Sequence, residues 1–370
     1  MASLRSKIER AMTQGGGAAR PFSSPFEWIL YVCSRVYELA VRLRLCLYQK
    51  GIFRQEGLPC KVISIGNLTV GGTGKTPMVH YVATLLKKIG LEVAVISRGY
   101  GGDAQRSGGI VSNGKTTFMG PEASGDEPQL LALKLKGIPL LVGKNRCREA
   151  RRVIKEFGVS VLVLDDGFQH LRMKRDLDLL LLDSKRPFGN GYCLPRGTLR
   201  EPVRQMKRAT AIVLTRWPET CSLAPERSIT EACAEGRPMF KCRHVPEALF
   251  PAGKEVPLEP SSLKGRRLFA FSGLGRNESF QETIGQLKGQ LVGFSEFPDH
   301  HGYSHRDLRS IWKRARDLKV DNIITTEKDF VKIHTEIPET PPLLVLAISI
   351  SFGDDGKRFD RYVRNWALSP

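Results

Sequence analysis

The sequence has little that is typical of a secreted or membrane-spanning protein. Its 8 cysteines form no CxxC pair and no Cys/His ligand spacing, so we expect free thiols in a reducing cytosol rather than a disulfide framework or a zinc site. It has no run of 18 uncharged residues that would form a conventional transmembrane helix. The first 20 residues also lack the apolar core of a secretory signal. These absences predict a globular protein that works inside the cell.

Acidic residues are scarce relative to basic ones. There are 57 Lys and Arg against 38 Asp and Glu, which gives a formal net charge of +19. This excess predicts an anionic partner, and nucleic acid, anionic lipid and a phosphorylated substrate all qualify. Nucleic acid has no further support, because the sequence contains no aromatic-basic RNP pattern, zinc finger or helix-turn-helix signature. No nucleic-acid partner is therefore predicted.

One glycine-rich segment lies between a predicted strand (61–66) and a predicted helix (76–88). It reads Gly71-Gly72-Thr73-Gly74-Lys75-Thr76. In this context small residues let backbone N–H groups surround a phosphate, Lys75 neutralises the terminal phosphates and Thr76 offers its hydroxyl to Mg²⁺. The strict GxxxxGK[ST] pattern fails, because Thr69 stands where its first glycine should be. The loop is closer to the GGxGKT of partitioning ATPases, with Val70 in place of their signature lysine. Residues 69–76 are predicted to bind the nucleotide.

A second motif places carboxylates at the end of an apolar strand. Asp165 and Asp166 follow Val161–Leu164, where P-loop proteins hold Mg²⁺ directly or through water. A helix-capping aspartate is the alternative interpretation. Gln169 and His170 would lie at the same edge of the sheet, where ligands bind in open α/β folds. The guanine motif [NT]KxD is missing, because Lys328 lies one place too late, and the nucleotide is therefore predicted to be ATP.

Near-continuous apolar strands that alternate with helices predict an α/β fold. We expect a P-loop NTPase-like, mostly parallel sheet flanked by helices, followed by a second, smaller α/β domain. The predicted strands are 61–66, 92–97, 159–164, 177–182, 209–215, 239–243, 267–272, 291–297, 322–325 and 343–347, with a hairpin at 110–118. The predicted helices are 76–88, 127–136, 145–157, 277–288, 304–318 and 357–366. The expected boundaries are 1–56 for an N-terminal segment, 57–216 for the nucleotide-binding domain, 217–264 for a connector and 265–370 for the second domain.

Residues 25–50 have the pattern of an amphipathic helix. The apolar positions at helical spacing are Trp28, Ile29, Val32, Val36, Leu39, Leu43 and Leu47. Arg35, Glu38 and Arg42 fall on another face. Such a helix suits the interface of an anionic bilayer, and packing on the next domain is the alternative. The segment carries more charge than a spanning helix would.

As a set, motifs between residues 25 and 332 resemble those of the tetraacyldisaccharide 4'-kinases, which phosphorylate a lipid A precursor. Those that carry the resemblance are Gly66-Asn67-Leu68-Thr69 with the P-loop and Pro77, Ser97-Arg98-Gly99-Tyr100-Gly101, Gly125-Asp126-Glu127-Pro128, Asp165-Asp166-Gly167-Phe168-Gln169-His170, Phe188-Gly189-Asn190-Gly191, Leu194-Pro195, Leu199-Arg200-Glu201, Asp299-His300 and Thr326-Glu327-Lys328-Asp329.

The resemblance implies transfer of the γ-phosphoryl of ATP to the 4'-hydroxyl of a tetraacylated glucosamine disaccharide 1-phosphate, in lipid A biosynthesis. It implies Asp126 as the base, supported by His300 from a second domain that closes over the site, with Lys75 as the catalytic cation. Asp165 or Asp166 is the alternative base. The metal-side candidates are Thr76, Glu127, Asp165 and Asp166. The substrate-binding candidates are Asn67, Arg98, Tyr100, Gln169, His170, Arg200 and Glu201, with Arg146 as a further arginine that could meet phosphate or sugar.

The implied partners are the acylated disaccharide 1-phosphate and an anionic membrane surface, without an obligate protein partner. The implied location is the cytoplasmic face of the inner membrane of a Gram-negative-type bacterium, with peripheral or monotopic attachment. A regulatory ATPase of the partitioning or metal-chaperone class is the alternative function, disfavoured by Val70 and by the motifs of Asp126 and His300. A membrane-docking protein that merely binds nucleotide is a second alternative, disfavoured by Lys75, Thr76 and Asp165.

Overall fold

The computed structural model describes residues 8, 12, 24–218, 236–254, 256–333 and 336–369. The chain divides into two compact units. The first comprises Met1–Ser97, Asn145–Arg243 and Ser351–Pro370, and the second comprises Arg98–Lys144 and His244–Ile350. This division differs from the four consecutive segments expected from the sequence. Periodicity reports the order of elements along the chain, but not which of them share a core.

The elements follow the predicted order closely. In chain order the strands are β1 Lys61–Asn67, β2 Val93–Ser97, β3 Gly109–Ser112, β4 Leu140–Val142, β5 Val161–Asp165, β6 Leu177–Asp183, β7 Ala211–Thr215, β8 Met239–Lys241, β9 Arg243–Pro251, β10 Arg267–Ser272, β11 Gln290–Glu296, β12 Asn322–Thr326 and β13 Leu343–Ser351. The helices are α1 Pro25–Gln49, α2 Lys75–Lys88, α3 Ala104–Ser107, α4 Pro121–Ser124, α5 Asp126–Lys134, α6 Arg146–Phe157, α7 Glu278–Gln286, α8 His305–Asp317, α9 Glu327–Phe330 and α10 Gly356–Leu368. Short 3₁₀ turns occur at Val203–Arg208, Pro260–Leu263 and Gly353–Asp355.

A parallel sheet forms the centre of the first unit. Its strands follow the order β2-β5-β1-β6-β7-β8, and each pairing among them is parallel. Strands β5 and β6 flank β1, with Asp165 and Leu179 both opposite Ile65. These strands are apolar along nearly their whole length because both faces are buried. The loops that follow β1, β2 and β5 therefore emerge at one edge of the sheet.

The second unit has its own core. Strands β11, β10, β12 and β13 pair in parallel, and β9 completes this five-stranded sheet. The fully buried Trp312 of α8 packs among Phe269, Phe271 and Ile323, and its indole N–H donates to the carbonyl oxygen of Pro341 at 3.0 Å. Because Arg98–Lys144 also belongs to this unit, α5 and the antiparallel pair β3–β4 are part of it. The α/β fold with its mostly parallel sheet confirms the predicted fold class.

Two local predictions differ from the structure. At 110–118 the expected hairpin is only a turn with one bridge, Ser112 to Thr117, and β3 makes its ladder with β4 instead. The expected connector contains strand β9, whose apolar pattern is interrupted by Pro246 and Glu247. Residues 219–235 of that connector lie outside the described residues.

Helix α1 packs on the first unit and also leaves an apolar stripe in solvent. The Ser34 hydroxyl donates to the carbonyl of Cys193 at 2.7 Å, and the Tyr37 hydroxyl donates to that of Arg200 at 3.0 Å. The exposed stripe consists of Trp28, Ile29, Val32, Val36, Leu39 and Leu43, each 51–68% exposed. Among the described residues, no helix is long and apolar enough to cross a membrane. Packing on the neighbouring domain therefore accounts for only one face of the helix.

Candidate active site

The P-loop joins β1 to α2 and is held from both sides. The Asn67 amide, at the end of β1, donates to the Thr73 hydroxyl at 2.9 Å, and the Val70 N–H donates to the carbonyl of Thr198 at 2.7 Å. Gly71 and Gly74 have φ angles of 107° and 84°, which side chains rarely adopt. A Cβ built on Gly71 meets no atom within 4 Å. The loop thus leaves open space beside its backbone, as a phosphate-binding loop requires.

Asp166 is the anionic centre next to this loop. Its carboxylate accepts from Arg200 at 2.8 Å and pairs with Lys75 at 3.5 Å, while Arg146 donates to its backbone carbonyl at 2.9 Å. Burial alone would raise the pKa of this carboxyl, but the charges of Lys75 and Arg200 outweigh it and hold the pKa far below its usual value. Asp166 has a φ of 52°, in the left-handed region. A strained residue bearing a strongly perturbed acid is typical of a functional site.

Asp165 and Thr76 are the residues that best fit a metal ion. The Asp165 carboxylate is almost fully buried, and it accepts from the Ser97 hydroxyl at 2.7 Å. Within the described ranges, no group of three or more His, Cys, Asp or Glu side chains could hold a metal ion. Mg²⁺ in nucleotide sites takes most of its ligands from phosphate and water, with only one or two protein oxygens. A hydroxyl and one buried carboxylate are the hard oxygen donors that such a site needs.

The turn after β5 places the other first-unit candidates. The Gln169 amide donates to the carbonyl of Asn67 at 2.9 Å, and Arg44 of α1 donates to the carbonyl of Gln169 at 3.2 Å. Burial, together with nearby arginines, lowers the pKa of His170 to about 3, so this imidazole is neutral at physiological pH. Glu201 is buried against Arg208, and burial raises the pKa of its carboxyl. Its ion pair with Arg208 gives Glu201 a structural partner that the sequence did not indicate.

Asp126 and His300 are hydrogen-bonded within the second unit. The Nδ1 atom of His300 lies 3.0 Å from Oδ2 of Asp126. Asp126 is the first residue of α5, and His300 has a φ of 62° in the loop after β11. The expectation that these residues come from different domains is wrong, because residues 98–144 share a unit with His300. Tyr100, which is exposed, has its ring centroid 5.8 Å from that of His300, and Arg98 is exposed as well.

Glu127 has a cation as its neighbour. The Lys328 ammonium lies 3.3 Å from the Glu127 carboxylate and 2.9 Å from that of Asp299. Burial would lower the pKa of the ammonium, but the two carboxylates outweigh it and raise the pKa. In the sequence, Lys328 belongs to a failed guanine motif and to a segment that carries the family resemblance, and neither assigns it a role. Its partners lie 29 and 201 positions away in the chain, so no local pattern indicates them.

Comparisons with known proteins give one consistent family. The model of the family "LpxK: Tetraacyldisaccharide-1-P 4'-kinase" matches residues 26–367. A tetraacyldisaccharide 4'-kinase of Desulfatibacillum aliphaticivorans is 40% identical over 99% of this chain and 98% of its own, and one of Syntrophus aciditrophicus is 43% identical over 90% of each. A crystal structure of "apo" form LpxK from Aquifex aeolicus in complex with ATP is 30% identical, with a TM-score of 0.72 over 93% of this chain and 100% of that one.

Replacing Asp166 by Asn is expected to destabilise the first unit in a pH-dependent way. The variant leaves Lys75 and Arg200 without their shared anion, which costs about 1–3 kcal/mol near neutral pH. Because folding lowers the pKa of Asp166, its contribution is complete above the unfolded value of about 3.9 and is lost as the pH falls below that value. Urea unfolding of both proteins between pH 7 and pH 3 measures this difference.

The control for that series is Glu92→Gln, which removes the exposed ion pair with Lys87. Exposed pairs contribute about 0–1 kcal/mol, so this variant should unfold close to the wild-type midpoint. A gap between wild type and Asp166→Asn that stays constant down to pH 3 would contradict the electrostatic explanation.

Proposed function

The chain belongs to the tetraacyldisaccharide-1-P 4'-kinase family, and from this premise we propose how its residues carry out the reaction. It is an ATP-dependent kinase that transfers the γ-phosphoryl group of ATP to the 4'-hydroxyl of a tetraacylated glucosamine disaccharide 1-phosphate, a step of lipid A biosynthesis. One observation carries the assignment of roles. The chain combines a phosphate-binding loop with a hydrogen-bonded carboxylate–imidazole pair, Asp126 and His300, which a regulatory ATPase would not need.

In the proposed nucleotide site, the backbone N–H groups of residues 71–76 surround the phosphates at the start of α2, while Val70 holds the loop through Thr198. Lys75 exchanges its ion pair with Asp166 for one with the terminal phosphates. Arg200 stays on Asp166, so that carboxylate remains compensated when Lys75 turns to the nucleotide. Thr76 and Asp165 would hold Mg²⁺, which when bound neutralises charge on the β- and γ-phosphates.

In the proposed transfer, Asp126 accepts the proton of the 4'-hydroxyl. The hydroxyl oxygen then forms a bond to the γ-phosphorus, the bond from that phosphorus to the β,γ-bridging oxygen breaks, and ADP leaves. His300 donates its Nδ1–H to Oδ2 of Asp126, which orients the carboxylate and leaves Oδ1 for the acceptor hydroxyl. Tyr100 and Arg98 are proposed to contact the disaccharide near this pair, because both are exposed.

Helix α1 is proposed to attach the enzyme to the cytoplasmic face of the inner membrane, where an acylated substrate lies. Its exposed stripe would enter the lipid interface while the opposite face remains packed on the first unit. The basic residues of α1 support this attachment less than their positions in the sequence suggest. Arg35 and Arg42 both pair with Glu38, at 2.7 and 2.5 Å. The apolar stripe is therefore expected to supply most of the binding free energy.

Substitutions of the Asp126–His300 pair test the proposed transfer. General base catalysis contributes about 10²–10⁴-fold, so Asp126→Ala and His300→Ala should each lower kcat by about that range. The KM for ATP should change little, because the P-loop binds the nucleotide. If the two residues act as a unit, the double variant should be little worse than the worse single one. The assay follows label from γ-labelled ATP into the disaccharide lipid. Normal kcat in His300→Ala, or losses in the double variant that equal the product of the two single losses, would contradict this mechanism. Asp165 or Asp166 would then be the proton acceptor.

Polar substitutions on the stripe test membrane attachment. Val36→Gln with Leu39→Gln removes two of its most exposed apolar side chains, and the double variant should bind at least about tenfold more weakly to vesicles of phosphatidylethanolamine and phosphatidylglycerol, since each apolar side chain buried contributes about 1.5–3 kcal/mol. The matched control is Phe118→Gln with Leu368→Gln, two exposed apolar residues outside α1. Equal vesicle binding by both double variants would exclude α1 as the attachment site.

A further inference from the structure

The segment Thr326-Glu327-Lys328-Asp329, which matched no nucleotide-binding role, organises the second unit. It ends β12 and begins α9, where the Thr326 hydroxyl caps the helix by accepting from the Asp329 N–H. The buried Asp329 carboxylate accepts from the N–H of Gly273 and from the hydroxyl of Tyr303, at 3.1 and 3.0 Å. Three different parts of the unit thus meet at this segment, and Lys328 is the residue of it that contacts the residues adjacent in sequence to the proposed catalytic pair.

Lys328 contacts the chain neighbour of each member of that pair. Its ammonium lies 2.9 Å from the carboxylate of Asp299, which precedes His300. It also lies 3.3 Å from the carboxylate of Glu127, which follows Asp126. One cation therefore links the first turn of α5 to the loop after β11, the two segments whose side chains form the pair.

The contact with Asp299 acts directly on the conformation of His300. The Asp299 Oδ1 atom accepts the backbone N–H of His300 at 3.1 Å and also receives the Lys328 ammonium. His300 has a φ of 62°, and a non-glycine residue in that region costs about 1–2 kcal/mol, so the loop needs contacts that hold it there. The side chain of Lys328 is only 18% exposed, and an ion pair shielded from water in this way is stronger than one on the surface.

We propose that Lys328 is a positioning residue, which fixes the Asp126–His300 hydrogen bond by bridging Glu127 and Asp299. This inference rests on the proposed function, because it assigns Lys328 a part in the same proton transfer. Two other roles are distinguishable from it. An ordinary structural ion pair would affect stability more than turnover, and a cation that binds the nucleotide would affect the KM for ATP.

The chain supplies a matched control in Lys134, at the other end of α5. Lys134 pairs at 2.9 Å with Glu327, the residue before Lys328, and its side chain is 19% exposed. It therefore joins the same helix α5 to the same helix α9 and is shielded from water to a similar extent. Its ion pairs are with Glu327 and Glu247 rather than with Asp299 or Glu127. Loss of Lys134 should loosen the unit without releasing the proposed catalytic pair.

The test compares Lys328→Met with Lys134→Met in the full-length chain. We expect Lys328→Met to lower kcat about 10- to 100-fold, since displacement of a reacting group by about 1 Å can cost as much as 100-fold. The KM for ATP should stay within about twofold of wild type, and Lys328→Arg should recover part of the lost kcat, because it keeps the charge. Adding Lys328→Met to His300→Ala should lower kcat little below that of His300→Ala alone. Lys134→Met should keep kcat within about twofold, at a similar loss of thermal midpoint.

Two results would overturn the inference. One is normal kcat in Lys328→Met while Asp126→Ala and His300→Ala are impaired, which leaves the proposed function intact. The other is a raised KM for ATP with losses that add to those of His300→Ala, which would make Lys328 a nucleotide ligand.

Should Lys328→Met not fold, Asp299→Asn decides the matter, because it keeps an acceptor for the His300 N–H and removes the charge. Unchanged kcat in that variant would equally overturn the inference. A wild-type protein that transfers no label to the lipid would instead refute the proposed function.

Discussion

The hydrogen bond between His300 and Asp126 joins residues 174 positions apart in the chain. It can form because residues 98–144, which interrupt the first unit along the chain, belong to the second unit. Two glycines determine the conformation of this segment around Asp126. A Cβ built on Gly102 would lie 2.4 Å from the carbonyl oxygen of Ala123, and one on Gly125 would lie 2.6 Å from that of Tyr100. Only glycine lets these two loops approach so closely, and their contact fixes the start of α5, where Asp126 lies.

Charge compensation is found in each of the two units. Asp166 is paired with Lys75 and Arg200, and Lys328 is paired with Glu127 and Asp299. Isolated charges in such partly buried places would be costly, and each would shift its pKa toward the neutral form. The pairs keep these groups ionised and hold them in place. A kinase of this kind needs fixed charges, because phosphoryl transfer depends on charge stabilisation and positioning more than on covalent chemistry.

The sequence was sufficient for the fold class, the P-loop and most element boundaries. Those features follow from local patterns, such as the apolar run of β5 or the Gly74-Lys75-Thr76 turn into α2. Strand β4 was not predicted, because its three residues are too few for a periodic pattern, and β9 was hidden by Pro246 and Glu247. The grouping of 98–144 with the second unit and the contacts of Lys328 depend on distant parts of the chain. Resemblance to a family indicated Asp126 and His300, but without showing which residues hold them together.

The most direct test of the central claim is the fate of the γ-phosphoryl group. Wild-type protein is incubated with γ-labelled ATP and either the tetraacylated disaccharide 1-phosphate or the same lipid without its 4'-hydroxyl. The proposed chemistry predicts label in the first lipid, none in the 4'-deoxy lipid, and little free phosphate in either reaction. Label released as inorganic phosphate at equal rates with both lipids would contradict the account and favour a regulatory ATPase.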